Sequence, residues 1–396
     1  MSGYYFKLPP FGQLTPPQQA AANEPRQIAL TGGPGTGKSV VSIWRHLRNY
    51  LSNPIKKSML VTYTTTLKAY LAACCKNITD NGHPNVGSES SSNVGTSIKN
   101  TEIIHKTVFA ELIIDEAQDL SNDYYSGIPS PLSYGADDSQ ILYHDHCSTE
   151  AQLHNMFPSN VLCPLDRNFR NTQRIMQFAR QAFPYANIPF SIINGLSNNV
   201  GEKPVLLVSN TFDKTRDAIE RIVNSFRAED HNIAILVPWK EYVKAFQRNA
   251  LGFKNIDHSF YYEDQNDFPH GCENIKNVHI TTFKSSKGLE FDTVIIPNFD
   301  FIMQLPYYVS SEKDMNDEQL AKFEETILRL DNLQKDHDRI VSKTPLPNGL
   351  IKVNYRKLMC SWEDLYVAVT RARSNLYLIS PRDLPQLNIV TEKEIL

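Results

Sequence analysis

The sequence predicts an α/β protein of two tandem units, each a parallel sheet flanked by helices, with a backbone anion cradle in the first only. Three observations carry this expectation. Gly32-Gly33-Pro34-Gly35-Thr36-Gly37-Lys38-Ser39 fits the spacing G-x-x-x-x-G-K-[ST] at every fixed position. Short apolar runs recur along the chain with helical patterns between them, the alternation that builds parallel sheets. A length of 396 residues suits two or three domains, each with its own core.

Composition narrows the class. Hydrophobic residues at 41% and charged residues at 21% describe an ordinary globular chain. A net charge of −3 supplies no global basic field, so any contact with nucleic acid must use a local groove. The longest apolar runs are strand-sized, so no membrane span or membrane partner is expected. Met1 to Tyr5 does not read as a signal peptide. The six cysteines show no C-x-x-C pair and no zinc spacing, which points to reduced thiols and a cytoplasmic location.

In chain order, residues 1–13 read as a loose arm rich in aromatics and prolines. Leu14-Thr15-Pro16-Pro17-Gln18-Gln19 follows, a helix start whose Gln18 has the donor–acceptor pair to read an adenine edge. Residues 27–31 are a short buried strand and 40–50 a helix with apolar Val40, Val41, Ile43, Trp44 and Leu47. Strand, glycine loop and helix together are the context in which inward-turned N–H groups and a helix N-terminus cradle polyphosphate. Lys38 would reach the β- and γ-phosphates of ATP, and the Ser39 hydroxyl would ligate Mg²⁺.

A second buried strand is expected at 58–63, running into Thr64-Thr65-Thr66 and a helix through Ala73. Residues 77–101, rich in Ser, Asn and Gly, read as loop. The run 110–114 is a strand that ends in Asp115-Glu116. There Asp115 would hold Mg²⁺, and Glu116 would position and deprotonate the attacking water. In the second half, strands are expected at 205–208, 233–237, 278–282, 293–296 and 375–379, with helices at 215–226 and 240–248. The charged stretch 311–343 places Leu320, Phe323, Ile327, Leu330 and Leu333 at helical spacing, which reads as an amphipathic helix packed on one face.

Asp115-Glu116-Ala117-Gln118-Asp119 resembles the D-E-x-Q-D box of UvrD/Rep-type superfamily 1 helicases, and further boxes of that family follow in order. Tyr134-Gly135-Ala136-Asp137-Asp138-Ser139-Gln140 is similar to the strand ending in G-D-x-x-Q. Leu165-Asp166-Arg167-Asn168-Phe169-Arg170-Asn171-Thr172 resembles L-x-x-N-Y-R-S. Residues 282–291, Thr282-Phe283-Lys284-Ser285-Ser286-Lys287-Gly288-Leu289-Glu290-Phe291, resemble T-x-H-x-x-K-G-L-E-F. Tyr366-Val367-Ala368-Val369-Thr370-Arg371-Ala372-Arg373 resembles Y-V-A-x-T-R-A. The resemblance spans residues 14–380.

The resemblance implies two RecA-like P-loop NTPase domains, residues 1–164 and 165–396, without the large helical insertions of full unwinding enzymes. It places ATP and Mg²⁺ in the cleft between them. Gln140 is implied to sense the γ-phosphate or the attacking water, with Arg170 and Arg371 as finger residues from the second domain. Phe169 takes the place of a tyrosine that stacks on adenine, Gln18 reads the adenine edge, and Glu290 contacts the ribose. Thr62, Tyr63, Thr64, Tyr143 and Thr282 are implied to contact a single strand of DNA; RNA fits the same boxes, which do not read the 2′-OH.

The chain departs from the family at Asp145, where Trp is usual, at Lys284, where His is usual, and at Ala136, where Gly is usual. The expectation is therefore an ssDNA-stimulated ATPase and 3′-to-5′ translocase or helicase in stripped-down form. The rival expectation is an ATPase switch that gates a protein partner such as a nuclease in DNA repair or anti-phage defence.

Overall fold

A computed structural model describes residues 4–6, 8–52, 57–80, 82–143, 146–183, 190–226, 228, 230–247, 256–261, 275–302, 304–332 and 334–396. The first unit runs through α1 (Pro16–Asn23), β1 (Ile28–Thr31), α2 (Lys38–Ser52), β2 (Met59–Thr62), α3 (Thr65–Lys76), α4 (Val86–Ser92) and β3 (Val94–Thr96). It continues with α5 (Thr101–Lys106), β4 (Leu112–Ile114), β5 (Leu132–Gly135), α6 (Glu150–Met156) and β6 (Val161–Pro164). These strands form a six-stranded parallel sheet in the order β3-β2-β4-β5-β1-β6.

The second unit begins with α7 (Gln173–Ala182), α8 (Phe190–Asn194), β7 (Val205–Val208), α9 (Phe212–Ser225), β8 (Ile233–Val237) and α10 (Lys240–Gln247). Then come β9 (Ser259–Tyr261), β10 (Val278–Thr282), β11 (Phe291–Ile296) and α11 (Phe299–Ile302). A small excursion follows: β12 (Tyr307–Met315), α12 (Asp317–Asn332), β13 (Arg339–Pro345) and β14 (Ile351–Cys360). The chain returns through α13 (Trp362–Val369), β15 (Ala372–Ser380) and β16 (Glu392–Ile395). The main sheet is seven-stranded and parallel, β16-β7-β15-β11-β8-β10-β9. The expected architecture of two tandem RecA-like parallel sheets is the one adopted.

Strands β8 and β11 are buried at every residue, as central parallel strands covered on both faces must be. One apolar cluster crosses the seam, joining Leu67 and Tyr70 of α3 to Phe283, Leu289 and Phe291 of the second unit. The approach is close enough that Gly288, at φ +81°, would put an added Cβ 2.5 Å from Leu67 Cδ1.

Three expectations are corrected. The 77–101 segment is not all loop: it holds α4 and the edge strand β3. Its Ser/Asn/Gly composition hides the helix, which tertiary contacts hold in place; the Ser90 carbonyl meets His46 Nε2 at 3.1 Å, and Val86 and Gly87 are buried. The described part of the 1–13 arm, residues 4–6 and 8–13, is not loose. Tyr4 is buried edge-on against Phe291 and Tyr70, and Tyr5 exchanges two 2.8 Å hydrogen bonds with the Asn232 side chain. Pro9 accepts from Trp44 Nε1 at 2.9 Å, so the arm crosses from the second unit to the first. The 311–343 stretch contains the expected helix as α12, but strands flank it. Strands β12, β14 and β13 pair antiparallel in a three-stranded subdomain inserted in the second unit, with its own core of Met315, Leu320 and Val353. The alternating pattern of these strands is masked by their charge. Asp145 and Leu333 lie outside the described residues.

Candidate nucleotide site and strand-contact residues

The glycine loop joins the end of β1 to the start of α2. Gly35 and Gly37 adopt φ +73° and +89°, and a Cβ at either would come within 2.5 Å of Asn168 Oδ1 or Gln18 Nε2 respectively. Only glycine admits both the left-handed backbone and the close neighbours. Lys38 opens α2 and is buried, its Nζ donating to the Gly32 and Gly33 carbonyls at 2.5 and 3.0 Å and lying 3.4 Å from Asp137 Oδ2. Thr36 Oγ1 closes the loop on the Gly33 carbonyl at 2.9 Å.

Strand β4 delivers Asp115 and Glu116 beside this loop. Asp115 Oδ1 accepts from Ser42 Oγ at 3.3 Å, and the nearby Ser39 hydroxyl favours the charged form of the same carboxylate. Burial, then the neighbouring Glu116 charge, raises the Asp115 carboxyl to about 6. Its Oδ2 is buried without a hydrogen-bond partner. A buried orphaned carboxylate oxygen next to a serine hydroxyl is a donor set that fits Mg²⁺, which takes few protein ligands and leaves the rest to phosphates and water.

Glu116 stands at φ 59°, an uncommon conformation for a residue with a Cβ. That turn sends its Oε2 to Gln118 Nε2 at 2.5 Å and to within 3.5 Å of Lys287 Nζ. Burial opposes ionisation here, but Lys287 and Lys38 outweigh it and hold the carboxyl at about 2.

The second unit closes the site with cations. Arg371, 1% exposed, donates to Gln140 Oε1 at 2.8 Å while Val367 and Leu289 carbonyls anchor its other nitrogens. Burial, with Arg170 nearby, presses its pKa downward, yet a guanidinium stays protonated. Gln140 Nε2 in turn donates to Asp137 Oδ2 at 2.5 Å. Lys287, fully buried, grips both Asp119 oxygens at 2.7 and 2.8 Å and the Gln140 carbonyl at 2.6 Å. Burial works against its charge, but Asp119 and Glu116 outweigh it and hold the ammonium above its ordinary range. Arg170 and Arg373 both pair with Glu290, at 3.2 and 2.5 Å.

A cavity of about 400 Å³ gathers most of these groups: Gly35 to Ser39, Glu116, Gln140, Arg170, Glu290 and Arg371 all line it. Phe169, at 41% exposure, presents its ring at the rim, and its N–H donates to the Gly35 carbonyl at 2.8 Å. Gln18 lines the cavity too, but its amide is engaged by the protein: Nε2 donates to the Thr36 carbonyl and Oε1 accepts from Thr15 N–H, both at 3.0 Å. Tyr5, Phe6 and Leu8 of the N-terminal arm complete the rim, which no motif announced.

The strand-contact candidates divide. Thr62 ends β2 and Thr282 ends β10, at matching rims of the two sheets, and both are buried. Thr62 Oγ1 has no hydrogen-bond partner, whereas Thr282 Oγ1 donates to Ser285 Oγ at 2.9 Å. Thr64 caps α3, accepting from Leu67 N–H at 3.2 Å. Tyr63 and Tyr143 pack with ring centroids 4.5 Å apart and planes tilted by 56°, and the Tyr63 hydroxyl meets His146 Nε2 at 2.8 Å. Sequence reasoning missed Lys287, Asp119, Asp137 and Arg373 as site residues. All four stand inside quoted boxes, so the signal was present; a role for them needed partners that only the fold brings together.

No protein-family model and no curated protein matches the chain. It is similar to the C-terminal domain of a possible DNA helicase from Lactobacillus plantarum: 18% identity, TM-score 0.31, over 57% of this chain and 98% of that one. Arterivirus nonstructural protein 10 (helicase) with DNA is 13% identical at TM-score 0.38, over 94% of this chain and 65% of that one. The DEAD-box helicase Mss116 bound to ssRNA and UDP-BeF is 12% identical at TM-score 0.46, over 97% and 75%. Likenesses this distant carry no functional argument; the site residues must do so. Among the described residues no helix is long and apolar enough to cross a membrane.

Proposed function

We propose that the chain is an ATP-dependent nucleic-acid motor of the UvrD/Rep superfamily 1 type, an ssDNA-stimulated ATPase and 3′-to-5′ translocase. One observation supports this above the others: Arg371 of the second unit meets Gln140 of the first at 2.8 Å, in a cavity that also holds Lys38 and Glu116. A site completed by both units ties hydrolysis to their relative position.

In this reading Lys38 and the loop amides bind the β- and γ-phosphates of ATP. Ser39 and Asp115 would hold Mg²⁺, which when bound supplies charge neutralisation at the phosphate oxygens. Glu116, ionised at neutral pH, accepts the proton of the attacking water, and Gln140 orients that water. Arg371 and Arg170 stabilise negative charge that develops on the γ-phosphoryl oxygens. Phe169 stacks on the base, Gln18 supports the loop beneath it, and Glu290 positions Arg170 at the ribose side. Thr62, Tyr63, Thr64, Tyr143 and Thr282 mark the path of the strand along the two sheet rims.

The decisive experiment titrates steady-state ATPase of the purified chain against single-stranded DNA, RNA and duplex. Single-stranded DNA is expected to stimulate most. Hydrolysis indifferent to all three overturns the motor reading and leaves the partner-gated ATPase. In a strand-displacement assay, short duplexes with a 3′ tail are the expected best substrates, and unwinding of a long duplex is expected to be weak. Processive unwinding of long duplex by the chain alone overturns the stripped-down form.

A further inference from the structure

A second cavity, of about 600 Å³, lies away from the nucleotide cleft where three parts of the molecule meet. Tyr143 and His146 of the first unit form one side, their rings stacked at 5.5 Å with 26° between planes. Lys284, two residues beyond β10, forms the second. The inserted subdomain forms the third, through Lys313 of β12 and Lys322 and Phe323 of α12. The Arg329 guanidinium reaches the Cys147 carbonyl at 3.5 Å, and Lys335 lies 3.5 Å from Glu363 of α13, so the subdomain is fastened over the cavity from two directions.

Charge is distributed unevenly within the subdomain. Lys343 and Lys352 are each paired within it, to Glu324 and Glu312. Lys313 and Lys322, which face the cavity, are exposed and have no acidic partner among the described residues. The carboxylate on the lining, Asp338, is turned to the Leu358 N–H at 2.8 Å. The net result is a recess with lysines on two walls and flat rings between them. Lysines with aromatic platforms are what a single strand needs, since phosphates take the charge and bases the rings.

We propose that this cavity is a contact site for one nucleic-acid strand, with the inserted subdomain as its outer wall. The proposal rests on the motor reading and adds to it Lys313, Lys322 and Phe323 of the inserted subdomain, which lie outside the sequence boxes. Phosphates run against Lys284, Lys313 and Lys322, and a base lies on the half-buried Phe323 ring. The strand leaving the Tyr63–Tyr143 cluster would then be held on a third side, which retains it while the two sheets move.

The test uses the full chain and a double variant, Lys313→Ala with Lys322→Ala, both at exposed positions that leave the fold intact. Binding of fluorescein-labelled oligo(dT), oligo(rU) and poly-glutamate is followed by anisotropy at several salt concentrations, together with ATPase in the absence of any polymer. Expected is at least a tenfold loss of oligonucleotide affinity, with the slope of log K against log salt reduced by about 0.7 per lysine removed. Polymer-free ATPase is expected to be unchanged. Equal affinity and slope for parent and variant overturn the proposal and leave the motor reading standing. A parent that binds neither oligonucleotide overturns the motor reading itself. Loss of poly-glutamate binding alone assigns the cavity to an acidic peptide and also overturns the proposal. Lys313→Glu, as a single reversal, must weaken oligonucleotide binding in the same direction.

Discussion

The two sheet rims that face each other across the nucleotide cleft are built on opposite principles. The first rim offers backbone: glycines at positive φ, a lysine folded onto loop carbonyls, and a carboxylate oxygen with no partner. Its polar groups are incompletely used, the condition of a surface awaiting a ligand. The second rim offers long cations with no glycine loop. Lys287 and Arg371 are buried and every contact described for them crosses the seam or anchors the reach. In the proposed reading one side binds and the other reports on binding. A buried ion pair across a movable seam is costly to leave half-made, which makes the seam sensitive to what fills it.

The comparison can be broken most severely at Arg371. Arg371→Ala should lower kcat by about 10³-fold or more while nucleotide affinity, read with a fluorescent ATP analogue, changes little. Loss of affinity at unchanged maximal rate would move Arg371 from the reporting rim to the binding rim. Arg170→Ala should act in the same direction and non-additively with it.

Glu116→Gln tests the first rim. Turnover should fall by about 10²–10⁴-fold with ATP binding retained. Near-normal steady-state hydrolysis would remove Glu116 as the base.

Lys287→Met strands Asp119 and Glu116 as buried carboxylates, and about 3–5 kcal/mol of stability should be lost in urea unfolding. Adding Asp119→Leu should recover part of that loss. If the second change costs as much again, the pair is not the coupling it resembles.

A pH experiment treats the two halves alike. His46 in the first unit and His279 in the second are each buried beside a serine, and burial depresses them to about 4 and about 3. A depressed folded pKa means the unfolded chain binds a proton that the native chain refuses. Stability is therefore full above about pH 6.5 and falls as pH drops toward 4, by about 1.4 kcal/mol per pH unit for each histidine. His46→Asn or His279→Asn should each flatten half of that slope; a slope untouched by either assigns acid lability elsewhere.

The smallest effect belongs to the arm. Tyr4→Phe removes only the hydroxyl that donates to the Glu290 carbonyl, and should cost about 1 kcal/mol with the ring packing kept. A cost near zero would mean that the Tyr4 hydroxyl adds nothing to the ring packing and the Tyr5–Asn232 hydrogen bonds that hold the arm on the second unit.

Much was legible in the residues. The loop 32–39, the strand ending at Asp115-Glu116 and the strands 205–208, 233–237 and 278–282 fall where expected, because glycine spacing and continuous apolar runs are local signals with local causes. Edge elements were not legible. Strands β9 and β16 are short, and β16 (Glu392–Ile395) is exposed at every residue, so its pairing with β7 leaves no hydrophobic trace.

Only the tertiary structure decided the rest. That Lys287 completes the Asp119 and Gln140 side of the cleft depends on two residues 168 apart in sequence meeting at 2.7 Å, a fact no spacing rule contains. The N-terminal arm became a strap because Tyr4 found Phe291 in the second unit and Phe6 found Tyr70 in the first, where sequence sees only an aromatic-rich start. The subdomain of β12, α12, β13 and β14 reads as one charged helix until its antiparallel partners are in place. Chemistry written in neighbouring residues can be read from the chain, whereas chemistry assembled by packing exists only once the chain has folded.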